Sequence, residues 1–92
     1  MAQVVVTLKI MPESPEVDLG NIETEAKAKI QDFSQTPEMK TEQEPIAFGL
    51  KALKITFVMD ESKGSTDSLE EQLKTISGVN SVEAVDVRRA IG

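Results

Sequence analysis

Apolar and polar positions alternate from the start of the chain. In Val4-Val5-Val6-Thr7-Leu8-Lys9-Ile10 the even positions are all apolar, while Thr7 and Lys9 are polar. A period of two marks a strand buried mainly on one face, and Pro12 and Pro15 close it. The period then lengthens. Leu19, Ile22, Ala26, Ile30 and Phe33 fall on one side of a helix from about Asp18 to Phe33. Asp18 is suited to cap it, because its carboxylate accepts from free backbone N–H groups. Gly20 is a weak point, worth up to about 1 kcal/mol against Ala, and Lys27 and Lys29 belong to the wet side. Residues 39–44 are polar and predict a short edge strand whose Lys40, Glu42 and Glu44 discourage edge-to-edge aggregation. Pro45 stops it, and Pro45-Ile46-Ala47-Phe48-Gly49 reads as a bend or loop.

A second strong strand is predicted from about Leu50 to Met59. Leu53, Ile55 and Phe57 share one face, and Ala52, Lys54, Thr56 and Val58 share the other. Asp60-Glu61-Ser62-Lys63-Gly64 is a turn. A second helix follows from about Thr66 to Ser77 with Leu69, Leu73 and Ile76 as its apolar stripe. Ser68 with Glu71, or Asp67 with Glu70, has capping-box spacing, and Gly78 suits the residue after the helix end. The last strand runs from about Val82 to Arg88, with Val85 and Val87 alternating with Asp86 and Arg88. The order β-α-β-β-α-β predicts an α+β, ferredoxin-like sandwich, a four-stranded antiparallel sheet with both helices on one face. At 92 residues the chain is expected to form one domain over residues 1–92.

Composition narrows the function before any motif is sought. There is no Cys and no His, which removes thiolate chemistry, the commonest general base and the commonest transition-metal ligand. An ordinary enzyme is therefore not expected. Sixteen acidic against ten basic residues give a net charge of −6. Such a surface repels phosphate backbones and anionic membranes, so neither nucleic acid nor membrane is an expected partner. No apolar run approaches the roughly 20 residues of a membrane span. Met1-Ala2-Gln3-Val4 lacks the basic start of a signal peptide, so a cytoplasmic protein is expected.

Motif candidates fail one by one. An RNA-recognition sheet needs aromatic rings on its open face, and Phe48-Gly49-Leu50-Lys51-Ala52-Leu53 puts Leu50 and Leu53 where they are required. Asp60 and Glu71 stand at the ends of a calcium-loop spacing. Between them, Gly64 holds a ligand position and Ser65 holds the place of the required Gly, so no metal site is expected. Lys63-Gly64-Ser65-Thr66 reverses the order of a phosphate-binding loop, so no nucleotide cofactor is expected either. The acidic pairs Glu42 with Glu44, Asp60 with Glu61 and Glu70 with Glu71 lie in polar tracts and read as a solvated face. Two features resist so plain a reading. Phe48 lies outside either strand's alternation and is either a core plug or an exposed anchor for a partner. Arg88-Arg89, the one adjacent Arg pair in an acidic chain, is either a solubilising strand end or a local cation for an acidic or phosphate-bearing partner.

Three tracts together resemble the archaeal elongation factor 1-beta family, which corresponds to the exchange domain of the eukaryotic factor. They are the opening from Val4 to Leu19 with its Met11-Pro12-Glu13-Ser14-Pro15-Glu16-Val17-Asp18, the tract Glu44-Pro45-Ile46-Ala47-Phe48-Gly49-Leu50-Lys51-Ala52-Leu53, and the ending Val85-Asp86-Val87-Arg88-Arg89. The resemblance implies the same ferredoxin-like fold and a guanine nucleotide exchange factor. It implies release of GDP and loading of GTP on the GTPase elongation factor 1-alpha, without covalent chemistry. It also implies that Phe48 meets the partner; Ile46, Gly49, Asp86, Arg88 and Arg89 are expected to join it, the two Arg as the nearest cations although they do not align with the C-terminal Lys of eukaryotic relatives, and a monomer is expected. Phe48 matches the loop Phe that packs into the GTPase in eukaryotic relatives. Those relatives carry a Lys near the C-terminus that disturbs the magnesium site, whereas this sequence ends Ala90-Ile91-Gly92. Gly20-Asn21 is a second departure from the family pattern. Rival readings of the fold are a small-molecule-sensing regulatory domain and an acylphosphatase-like enzyme, which needs an Arg and Asn phosphate site in loops.

Overall fold

In the computed structural model, residues 3–35 and 38–90 are described. The final Ile91-Gly92, part of the ending compared with the eukaryotic relatives, and the opening Met1-Ala2 lie outside them. The elements are β1 (Gln3–Pro12), α1 (Leu19–Ser34), β2 (Met39–Pro45), β3 (Lys51–Asp60), a 3-10 turn (Glu61–Lys63), α2 (Asp67–Lys74) and β4 (Val79–Ala90). The sheet order is β2-β3-β1-β4, and each neighbouring pair is antiparallel. This is the ferredoxin-like arrangement that the order of elements predicts.

The period-two pattern sets the faces. Val6, Leu8 and Ile10 of β1 lie opposite Phe57, Ile55 and Leu53 of β3, and all six are buried. The helices lie over this face, with α1 against β3 and α2 against β4. They add Ile22, Ala26, Ile30, Leu69 and Leu73 to the core, Ile76 joins them from just beyond α2, and Leu19 and Phe33 pack at the margin. Each large side chain so buried stabilises the fold by about 1.5–3 kcal/mol. On the other face Thr7 and Thr56 sit opposite each other and share a hydroxyl hydrogen bond of 3.1 Å. Among the described residues no aromatic ring lies there. Phe57 is in the core, Phe33 is on α1 and Phe48 is in a turn.

Asp18 caps α1 as expected, accepting from the backbone N–H of Gly20 at 2.9 Å and of Asn21 at 3.4 Å. A Cβ on Gly20 would stand 3.2 Å from the capping oxygen, so a residue weak in helix propensity leaves room for the cap. Three expectations are corrected. First, α2 ends at Lys74, three residues before Ser77, and Ile76 is buried beyond its end. Second, neither capping box forms. Thr66 precedes α2, makes no side-chain bond to its free N–H groups, and donates its hydroxyl to Glu70 at 3.0 Å. Third, β4 continues past Arg88 to Ala90, paired with β1 as far as Gln3. The β4 residues that reach the core are Val79 and Val82, while Val85 and Val87 are 42% and 59% exposed.

The exposure of Val85 and Val87 has two causes. A register shift between Thr7 and Leu8 leaves Val85 as an extra residue, since Asp86 lies opposite Thr7 but Ala84 lies opposite Leu8. The eight residues of α2 also span only about 12 Å. The twelve residues of β4 run to about 40 Å, so its outer half has no helix over it.

Candidate partner surface

The hairpin between β2 and β3 closes from Pro45, which is paired with Lys51. Ile46 N–H donates to the Leu50 carbonyl at 2.9 Å, and Leu50 N–H donates to the Ala47 carbonyl at 2.9 Å. The two residues at the centre of that tight turn are Phe48 and Gly49, with φ of +53° and +80°. Positive φ at both central positions is the pattern of a type I′ turn, which matches the twist of the flanking strands. Such turns favour Asn-Gly. Here a bulky aromatic takes the first position, where L residues are strained by about 1–2 kcal/mol. The ring is 96% exposed, and Ile46 beside it is 41% exposed. Pro15 of the β1–α1 loop lies 3.7 Å from where a Cβ on Gly49 would sit, so the turn rests on that loop. A groove of about 390 Å³ runs between them, bordered by Pro12, Pro15, Asp18, Gln43 and Lys51.

Asp86, Arg88 and Arg89 lie at the other end of the sheet. Arg88 is opposite Val5 and Arg89 opposite Val4 on β1, whereas the hairpin begins beyond the pairing of Ile10 with Leu53. Six residues of strand separate these rows, about 20 Å, and the hairpin tip lies farther still. The six residues that the sequence singles out therefore form two groups. One holds Ile46, Phe48 and Gly49 at the tip. The other holds Asp86, Arg88 and Arg89 on the edge strand.

The adjacent arginines are themselves divided. Successive strand residues point to opposite faces, so Arg88 shares the open face with Asp86, and Arg89 shares the helix side with Val87. Arg88 Nε donates to Asp86, with contacts of 3.0 and 3.3 Å to its two carboxylate oxygens. Arg89 Nη2 donates to Glu61 Oε1 in the 3-10 turn. Sequence reasoning missed Glu61. The signal available was its acidic side chain directly after Asp60 at a strand end, and nothing in the spacing tied it to residue 89.

Two carboxylates are held below their ordinary range. Glu44 is lowered by its hydrogen bond and charge pairing with Lys54, at 2.5 Å, and Lys54 is raised in turn by Glu44. Asp60 is lowered mainly by the Ser62 backbone N–H, which donates to it at 2.8 Å. This bond caps the 3-10 turn and accounts for the first acid of the calcium-loop spacing. Among the described residues no group of three or more His, Cys, Asp or Glu is placed to hold a metal. No helix among them is long and apolar enough to cross a membrane.

The hairpin tip thus presents Phe48 and Ile46 to solvent from a tight turn, at the opposite end of the sheet from Arg88 and Arg89. The family model described as the EF-1 guanine nucleotide exchange domain matches residues 5–90. Elongation factor 1-beta of Methanothermobacter thermautotrophicus is 44% identical over 89 residues, covering 97% of this chain and 98% of that protein. Elongation factor 1-beta of Methanobrevibacter smithii is 45% identical over 89 residues with the same coverage. That of Saccharolobus solfataricus is 41% identical over 90 residues, covering 97% of each. The chain belongs to the EF-1 guanine nucleotide exchange family. It is a guanine nucleotide exchange factor for elongation factor 1-alpha in translation elongation, which is the expectation drawn from the three tracts. A solved structure titled BlrP1 BLUF superposes with a TM-score of 0.57 at 13% identity, covering 98% of this chain and 56% of that one, and shares the fold alone.

Proposed function

We propose that the chain works as one exchange domain over residues 1–92, a cytoplasmic monomer that meets elongation factor 1-alpha directly and needs neither nucleic acid nor a cofactor. Its hairpin tip is the anchor. The observation that carries this reading is Phe48, 96% exposed at a φ of +53°. A large ring held in water on a strained residue has no role in the core, and an exposed aromatic that becomes desolvated on binding is typical hot-spot material. Ile46 widens the apolar contact and Gly49 permits the turn. Asp86, Arg88 and Arg89 make a second contact at the far end of the sheet. With a net charge of −6, attraction to acidic groups must come from such local cations.

No covalent chemistry is required. A factor that binds the nucleotide-free GTPase more tightly than the nucleotide-bound form weakens nucleotide affinity by the same coupling free energy. Release is then accelerated through interactions made only while the nucleotide is leaving. The test is the release of labelled GDP from elongation factor 1-alpha at micromolar concentrations of this protein, with an unrelated GTPase as control. Faster release from elongation factor 1-alpha alone supports the reading. An unchanged rate with a folded sample contradicts it.

A further inference from the structure

Among the described residues, the exposed large hydrophobics occur in two places only. Ile46 and Phe48 are at the hairpin tip, and Val85 and Val87 are on the outer half of β4. The second place also holds the ion pair between Arg89 and Glu61, which joins segments 28 positions apart. It ties edge strand β4 to the turn that follows β3. Those two strands do not touch each other, since both pair with β1, where Val4 lies opposite Met59 on one side and Arg89 on the other. The pair thus reaches across the end of the sheet on its helix side, beside Val87. The 3-10 turn that carries Glu61 is itself fixed, because Asp60 accepts from Ser62 N–H and Gly64 N–H donates to the Glu61 carbonyl at 3.2 Å. Among the described residues Arg88, on the opposite face, is tied to Asp86 two residues away.

We propose that Glu61 is a positioning residue for exchange, one that holds the Arg89 guanidinium beside the exposed Val87 as a pre-formed cation for a carboxylate or phosphate of the GTPase. The proposal rests on the reading that the end of β4 meets the partner. The bond engages Nη2 of Arg89 on a side chain that is 67% exposed, and a guanidinium fork carries five donors in all. Holding a long side chain in place before binding spares the ordering penalty at the moment of contact. Glu61 therefore acts through Arg89 and has no separate contact with the partner.

A double-mutant cycle on exchange kinetics tests this. GDP release from elongation factor 1-alpha is measured against concentration of the factor for the wild type, Glu61→Gln, Arg89→Ala and the double variant, with thermal melting of each. Arg89→Ala should slow exchange by about tenfold or more. Glu61→Gln should slow it roughly three- to tenfold, and should add nothing in the Arg89→Ala background. Glu61→Asp, which keeps the charge, should restore part of the rate. If Glu61→Gln exchanges at the wild-type rate or faster while Arg89→Ala is slow, the positioning role is overturned and the contact at β4 stands. An equal loss from Glu61→Gln in both backgrounds overturns it as well, because Glu61 then acts independently of Arg89. If Arg89→Ala itself exchanges like the wild type, the contact at the β4 end fails, and the positioning role fails with it.

Discussion

Phe48 is the residue at which local preference and observed structure disagree most. A left-handed φ is costly for a bulky side chain, and almost all of its ring remains in water. Replacement by glycine removes the strain and uncovers no core. Phe48→Gly should therefore leave the stability unchanged or raise it by up to about 1 kcal/mol, read by chemical denaturation. A core Phe would instead lose about 3–5 kcal/mol on truncation. The titration of single carboxylates gives a second expectation. Glu44 is held low by Lys54, and Asp60 is held low by the Ser62 N–H. A group whose pKa is lowered in the folded state stabilises it above the unfolded pKa and loses that contribution as pH falls through the lowered one. Glu44→Gln and Asp60→Asn should each lose less of their melting midpoint than the wild type between about pH 5 and pH 3.

The elements were legible where the pattern was strong and local. The apolar even positions of β1, the stripe of α1 and the facing residues of β3 all lie where their periods place them, and Asp18 caps α1. Thr7, Lys9, Lys54 and Thr56 lie on the open face in the structure as in the pattern, with Val5 opposite Val58 beside them. What could not be read from the pattern has a physical cause in each case. The bulge that expels Val85 arises from pairing with a distant strand, and nothing adjacent in sequence marks it. The early end of α2 leaves Ile76 buried outside the helix, so an unbroken apolar stripe overstates its length. Gly78 was expected to close that helix, but its role is tertiary. Its carbonyl accepts from Glu13 N–H at 2.8 Å, and with φ of +92° a Cβ there would stand 2.7 Å from Val17 Cγ1. Gly78→Ala should destabilise the fold by about 1–2 kcal/mol or more, because strain and steric overlap add. Asp18→Ala should lose about 1 kcal/mol through the lost cap. Thermal or denaturant unfolding measures both.

At the scale of the whole molecule the candidate site is divided in two. The molecule is elongated, with extents of 42 × 21 × 19 Å, and its tip and its arginines lie at opposite ends of the sheet. The sequence placed Phe48 outside both strands but left open whether it was buried, since a loop gives no alternation to decide it. It presented Arg88 and Arg89 as one pair, and the length of β4 turns them to opposite faces. The exchange family was legible from the three tracts because they carry specific residues in order, whereas the partner of Arg89 at residue 61 depends on the three-dimensional path alone. The claim on which the account rests is that the tip anchors the GTPase. The most direct measurement is GDP release from elongation factor 1-alpha across a concentration series of the wild type and Phe48→Ala, with melting as control. Phe48→Ala should melt like the wild type and need about tenfold more protein for the same rate, a loss of about 1–2 kcal/mol in binding. A Phe48→Ala protein that exchanges at wild-type concentrations would contradict the claim.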